Sequence, residues 1–178
     1  MSSEKTQAAA RKLLYVYLLR TLRSLPAGSA LSLSHPALPH ARLHSGVTLP
    51  VDYSAVRTDD EFFDIAYWVI SESPEADRDY FDLIVRAWNR FGWPTRTGRD
   101  TRRRAAYTRT PDHVGLSVRE SVDGFVSLSG STVPFAVGSP AGPPLPELIE
   151  QPVAAPKEPA TETPGGTDDP LPGRVDPR

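Results

Sequence analysis

Eight arginines crowd the middle of the chain: Arg86, Arg90, Arg96, Arg99, Arg102, Arg103, Arg104 and Arg109, with one acid, Asp100, among them. Trp88, Phe91, Trp93 and Tyr107 are interleaved with them. Guanidinium groups neutralise phosphates and aromatic rings stack on bases. Basic residues mixed with aromatics are therefore the pattern of single-strand nucleic-acid binders. Arg96, Arg99, Arg102, Arg103, Arg104 and Arg109 are the candidates for binding an anion or a nucleic acid. The same stretch also reads as a solvated turn and strand. Consecutive arginines at 102–104 point to alternate faces of a strand, and charge of this kind discourages edge pairing.

His35, His40 and His44 form a second cluster, with Asp52 able to add a carboxylate. His40 and His44 would share a face only on a helix, and Pro36 and Pro39 disfavour one. Without cysteine or an HExxH context, loop histidines are the plainer reading. The sequence holds no GxSxG, P-loop, GxGxxG or paired-carboxylate arrangement. It has no cysteine, so disulfides and thiolate metal sites are excluded. The formal charge of −2 gives no global attraction to nucleic acid or membrane. No apolar run approaches the ~20 residues of a membrane span. Arg11 and Lys12 before Leu13–Leu19, with Ala27–Ala30 after, outline a signal peptide, but Arg20 and Arg23 charge the segment between.

These residues need elements to hold them, and the organising one runs from Ser73 to Trp93. Phe81, Ile84, Val85, Trp88 and Phe91 fall on one helical face. Ser73 suits the cap, Pro74 the first turn, and Gly92 with Pro94 the end. Residues 4–25 read as another amphipathic helix, with Ala10, Leu14, Tyr17, Leu18, Thr21, Leu22 and Leu25 sharing a face. Short strands are expected over 30–35 and 47–53, the second at an edge because of Pro50, with a loop between them. Residues 62–70 alternate like a central strand, although Thr58 and Glu61 also match a helical capping box. Strands at 102–109, 114–119 and 125–131, turned at Thr110-Pro111-Asp112 and Asp123-Gly124, predict a meander that covers the aromatic stripe.

From Gly138 the composition changes. Eleven of the nineteen prolines lie beyond it. Such a segment buries too little apolar surface to offset its ordering entropy, so residues 138–178 are expected to form a disordered tail. Two PxxP matches there, Pro140–Pro143 and Pro156–Pro159, read more simply as spacer than as ligand.

The residues Leu25-Pro26-Ala27-Gly28, Gly46-Val47-Thr48-Leu49-Pro50-Val51-Asp52, Tyr67-Trp68-Val69, Trp88-Asn89-Arg90-Phe91-Gly92-Trp93 and Ser129-Gly130-Ser131-Thr132-Val133-Pro134 carry a resemblance. Over about residues 8–135 the chain resembles a family of small actinobacterial exported proteins and lipoproteins of unknown function. The resemblance implies an N-terminal helix, a short strand, a helix ending in Gly-Trp and a closing meander. The family usually carries one cysteine near Pro50-Val51, a second near Val133-Pro134-Phe135, and a signal or lipobox. Both cysteines are missing here, consistent with a cytoplasmic relative. The resemblance supplies no activity.

The expectation is one α+β domain over residues 1–137. It has an antiparallel sheet with a C-terminal three-stranded meander covered by two helices, followed by the Pro-rich tail. The expected function is non-catalytic binding or accessory work, with no cofactor, metal or membrane span and an unknown protein partner. One alternative is an arginine-mediated nucleic-acid or anion binder. Another is a small enzyme or metal site using the loop histidines.

Overall fold

The computed structural model describes residues 6–51, 59–71, 79–98 and 103–152. They form an α+β fold in which two helices lie against an antiparallel sheet. The first helix, α1 (Gln7–Arg23), is capped by Thr6, whose hydroxyl accepts the Ala9 N–H at 3.2 Å. Arg20 and Arg23 sit in its last turn, where the helix dipole favours cations. All seven residues of its expected apolar face are buried, with Leu14, Leu18 and Leu22 wholly so.

The sheet order is β4 (Thr95–Thr97), β5 (Ala105–Arg109), β6 (Gly115–Glu120), β7 (Val126–Ser131), β3 (Asp60–Ser71), β1 (Ser29–Ser32) and β9 (Leu148–Glu150). Two short strands, β2 (Val47–Pro50) and β8 (Phe135–Ala136), also pair with β3. Residues 62–70 thus belong to the longest strand, and the helical alternative for them is excluded. Phe63, Ile65, Tyr67 and Val69 point into the core, while Phe62, Asp64, Ala66, Trp68 and Ile70 are half-buried on the other face. Pro50 ends a strand that pairs on one side alone, as its missing N–H requires. Gly130 shows why α1 can approach the sheet closely. A Cβ there would stand 2.4 Å from Leu14 Cδ1.

The second helix, α2 (Tyr80–Arg90), carries the aromatic stripe. Phe81, Ile84 and Trp88 are buried, with Val85 and Phe91 packed partly against the core. Its end follows the sequence. Gly92 has φ +73°, the Gly92 N–H reaches Asn89 O and the Trp93 N–H reaches Trp88 O, both at 3.0 Å. This pair of bonds is a Schellman closure. Its start does not follow the sequence. The helix begins at Tyr80, because Asp79 is non-helical (ψ 80°) and its carboxylate accepts the Asp82 N–H at 3.0 Å. The expected Ser73 cap lies outside the described residues.

The domain boundary needs correction. The chain past Val137 continues the fold as far as residue 151. Ser139 and Pro140 accept from the N–H groups of Gln7 and Ala8. Pro146 O accepts the Tyr67 hydroxyl at 2.9 Å, and β9 adds to β1 with Ile149 buried. Gln151 Nε2 donates to Leu22 O and Leu25 O, satisfying carbonyls at and just beyond the end of α1. Prolines suit this strap because it crosses as an extended edge and needs few donors of its own. The expected disorder of residues 153–178 lies outside the described residues.

Candidate functional site

Two-residue alternation gives the sheet two unlike faces. One is covered by α1 and α2. The other carries three rows of side chains, fixed by strand register. The first row runs Arg96, Tyr107, Ser117, Ser129, Ala66 from β4 to β3. The second runs Arg109, Gly115, Ser131, Asp64, and the third Ala105, Arg119, Ser127, Trp68. The β4–β5 side therefore carries Arg96, Arg109 and Tyr107, and the middle is serine and glycine apart from Arg119 on β6.

The small residues leave two shallow troughs. One, of about 560 Å³, lies over Ser117, Ser129 and Ser131 between Arg96, Arg109 and Asp64. The other, of about 700 Å³, lies over Ser127 between Arg103, Trp68 and Phe125. Tyr107 and Arg119 border both. Arg119 Nη2 donates to the Tyr107 hydroxyl at 3.4 Å, and its guanidinium carbon lies 5.9 Å from the ring centroid. Tyr107 is 44 % exposed, so the ring is open to a ligand. The 33–46 loop packs on two side chains that line the second trough. Trp68 Nε1 donates to Ala41 O at 2.8 Å, and the His35 ring packs edge-on against Trp68 and Phe125.

The eight-arginine stretch does not form one patch. Arg86 and Arg90 lie on the exposed side of α2, across the sheet from the troughs. Arg96, Arg103 and Arg109 are exposed and border the troughs, with no ion pair or hydrogen-bond partner among the described residues. Arg99 and Arg102 lie outside the described residues. Arg104 has a different task from the one expected of it. Its guanidinium bonds Glu120 through Nε (2.6 Å) and Nη2 (2.7 Å), and Asp79 through Nη1 (2.8 Å) and Nη2 (2.9 Å). It also reaches Asp82 and lies 4.7 Å from the Phe81 ring centroid. Hydrogen bonding to Arg104 holds the Asp79 carboxyl below its ordinary range. The same carboxylates keep Arg104 firmly protonated, and they leave it little capacity for another anion. It clamps the start of α2 to β6.

Arg119 belongs with the open arginines, although the sequence reading does not select it. The signal for it is the register. Arg109 and Gly115 flank the Thr110-Pro111-Asp112 turn, which fixes the pairing that puts Tyr107, Ser117 and Arg119 on one face.

The histidines do not converge. His35 Nδ1 accepts the Ala37 N–H and His44 Nδ1 accepts the Gly46 N–H, each at 3.1 Å. Burial holds His35 below the ordinary histidine value. Among the described residues no group of three His, Cys, Asp or Glu side chains is placed to hold a metal ion. Among them, too, no helix is long and apolar enough to cross a membrane. No family model matches the chain, and neither a curated protein nor a solved structure matches it.

Proposed function

We propose that the protein is a non-catalytic binding module and that the helix-free face of its sheet binds an anionic ligand. One observation carries this reading. Arg96, Arg109 and Arg119 surround an exposed Tyr107 beside a floor of serines, and the first two have no carboxylate partner among the described residues. A buried protein interface would instead want apolar anchors at its centre. Among the described residues the exposed large apolar side chains on this face, Val47, Tyr107, Val122 and Leu148, are scattered from β2 to β9 and do not gather at its centre.

Guanidinium forks suit phosphate, sulfate or carboxylate oxygens, and remain charged at all physiological pH. The test is elution from a heparin column as salt rises. The wild-type protein should be retained, and R96Q/R109Q should elute at clearly lower salt. Equal elution of the two would reject the face as an anion site.

A further inference from the structure

We infer that the ligand of this face is a single-stranded nucleic acid, with one base stacked on Tyr107 and the flanking phosphates held by Arg103, Arg109 and Arg96. The inference rests on the proposed anion-binding reading and adds a partner to it.

The arrangement alternates along β5. Arg103 precedes the strand, Tyr107 stands in the middle and Arg109 ends it, all with the same parity. Six residues of extended chain span roughly 20 Å, the length of a few nucleotides. Arg96 sits directly opposite Tyr107 on β4. A cation, an aromatic ring and a second cation in line are what a phosphate–base–phosphate repeat requires. A featureless polyanion would use the arginines and ignore the ring.

The floor gives the bases somewhere to lie. Ser117 and Ser129 continue the Tyr107 row inward for two more strands, roughly 10 Å at the usual strand spacing. Their short hydroxyl side chains both donate and accept, so base edges of any identity can be met. Asp64, hydrogen-bonded to the Ser131 hydroxyl, closes the far end of this trough with negative charge. Phosphates are thereby kept to the β4–β5 side and bases to the serine side.

The two troughs decide between a polymer and a single nucleotide. They meet at Tyr107 and Arg119, and each is large enough for a nucleotide-sized group. A strand crossing that shared wall fills both, whereas a mononucleotide fills one. Duplex does not suit the site, because its bases are already stacked and cannot reach a ring on a flat sheet.

The experiment is fluorescence anisotropy of labelled dT20 and rU20 with the full chain, run beside a labelled heparin fragment and a 20-base-pair duplex. Wild type should prefer at least one single strand to the duplex. Y107A should weaken that strand about tenfold or more and heparin much less, since heparin loses only the seat of Arg119 on the ring, while Y107F, which keeps the ring, should stay within about twofold of wild type for the strand. R96Q/R109Q should weaken both strand and heparin and flatten the salt dependence, by roughly 0.7 in log–log slope for each phosphate no longer neutralised. Circular dichroism melting of each variant checks the fold. Strand binding indifferent to Y107A, or a preference for duplex, overturns the inference while leaving the anion site standing if heparin still depends on the arginines. Failure to bind either strand or heparin overturns both readings.

Discussion

Trp88 shows how one side chain holds several elements together. Its ring is fully buried, and its Nε1–H donates to Thr21 Oγ1 at 3.1 Å, so it ties α2 to α1 in the core. W88A should cost about 3–5 kcal/mol in a denaturant titration, the usual range for truncating a buried tryptophan. The Thr21 hydroxyl, buried and stripped of that partner, pushes the value toward the upper end. Arg104 is a second such residue, held by charge. Its side chain is 38 % exposed and Asp79 44 %, so solvent screens the cluster and R104A should cost about 1 kcal/mol at neutral pH. The pH dependence has a definite sign. Asp79 is held below its ordinary value near 3.8, so its contribution is complete above that pH and fades as pH falls through the lowered value. Melting curves of wild type and R104A should stay a constant distance apart from pH 7 to about 5 and converge below 4. These two residues also mark how far sequence reasoning reaches. The role of Trp88 follows from spacing on a helix. That of Arg104 does not, because its carboxylate partners come from the α2 cap and from β6, and only the folded register brings them together.

At the scale of elements, both helices, the central strand and the Gly92 closure were legible, because each is set by periodicity or by a conformational demand within a few residues. The short strands β4, β8 and β9 were not. Two or three residues are too few for alternation to show, and such strands exist because a neighbour offers an edge. The C-terminal strap is the clearest case. Its proline content argued for disorder, yet residues 139–151 bury Ile149 and bond both ends of α1 as well as Tyr67. Truncation after Pro152 keeps the whole strap and sets the reference melting temperature. Truncation after Val137 should lower it substantially, since it empties the Ile149 site and removes the β1 edge partner. I149A alone should cost about 2–5 kcal/mol. Equal melting temperatures for the two truncations would mean that the strap contributes no stability.

The layout of charge matters more than its sum at the scale of the whole molecule. The chain is net negative, at −2. The troughs nevertheless carry Arg96, Arg103, Arg104, Arg109 and Arg119 against Asp64, Glu120 and Asp123. The strap brings two of the C-terminal acids, Glu147 and Glu150, to the β9 edge, at the opposite end of the strand order from β4. Six strand spacings put those edges roughly 29 Å apart. At 0.1 M salt the Debye length is about 10 Å, so a polyanion on the arginine face feels the local field and little of the rest. At 0.01 M it is about 30 Å, comparable to the width of the sheet, and the net negative charge is felt as well. Heparin affinity should therefore rise steeply as salt falls from 0.3 M to 0.1 M and then level off towards 0.01 M, where a uniformly basic protein would keep tightening. The same layout predicts little change in affinity between pH 7 and 9, because arginine stays charged throughout and His35, held low by burial, is already neutral. Isothermal titration with a heparin fragment over this grid of salt and pH checks both points. An affinity that keeps rising linearly to 0.01 M, or that falls markedly between pH 7 and 9, would place the anion somewhere other than the arginine face.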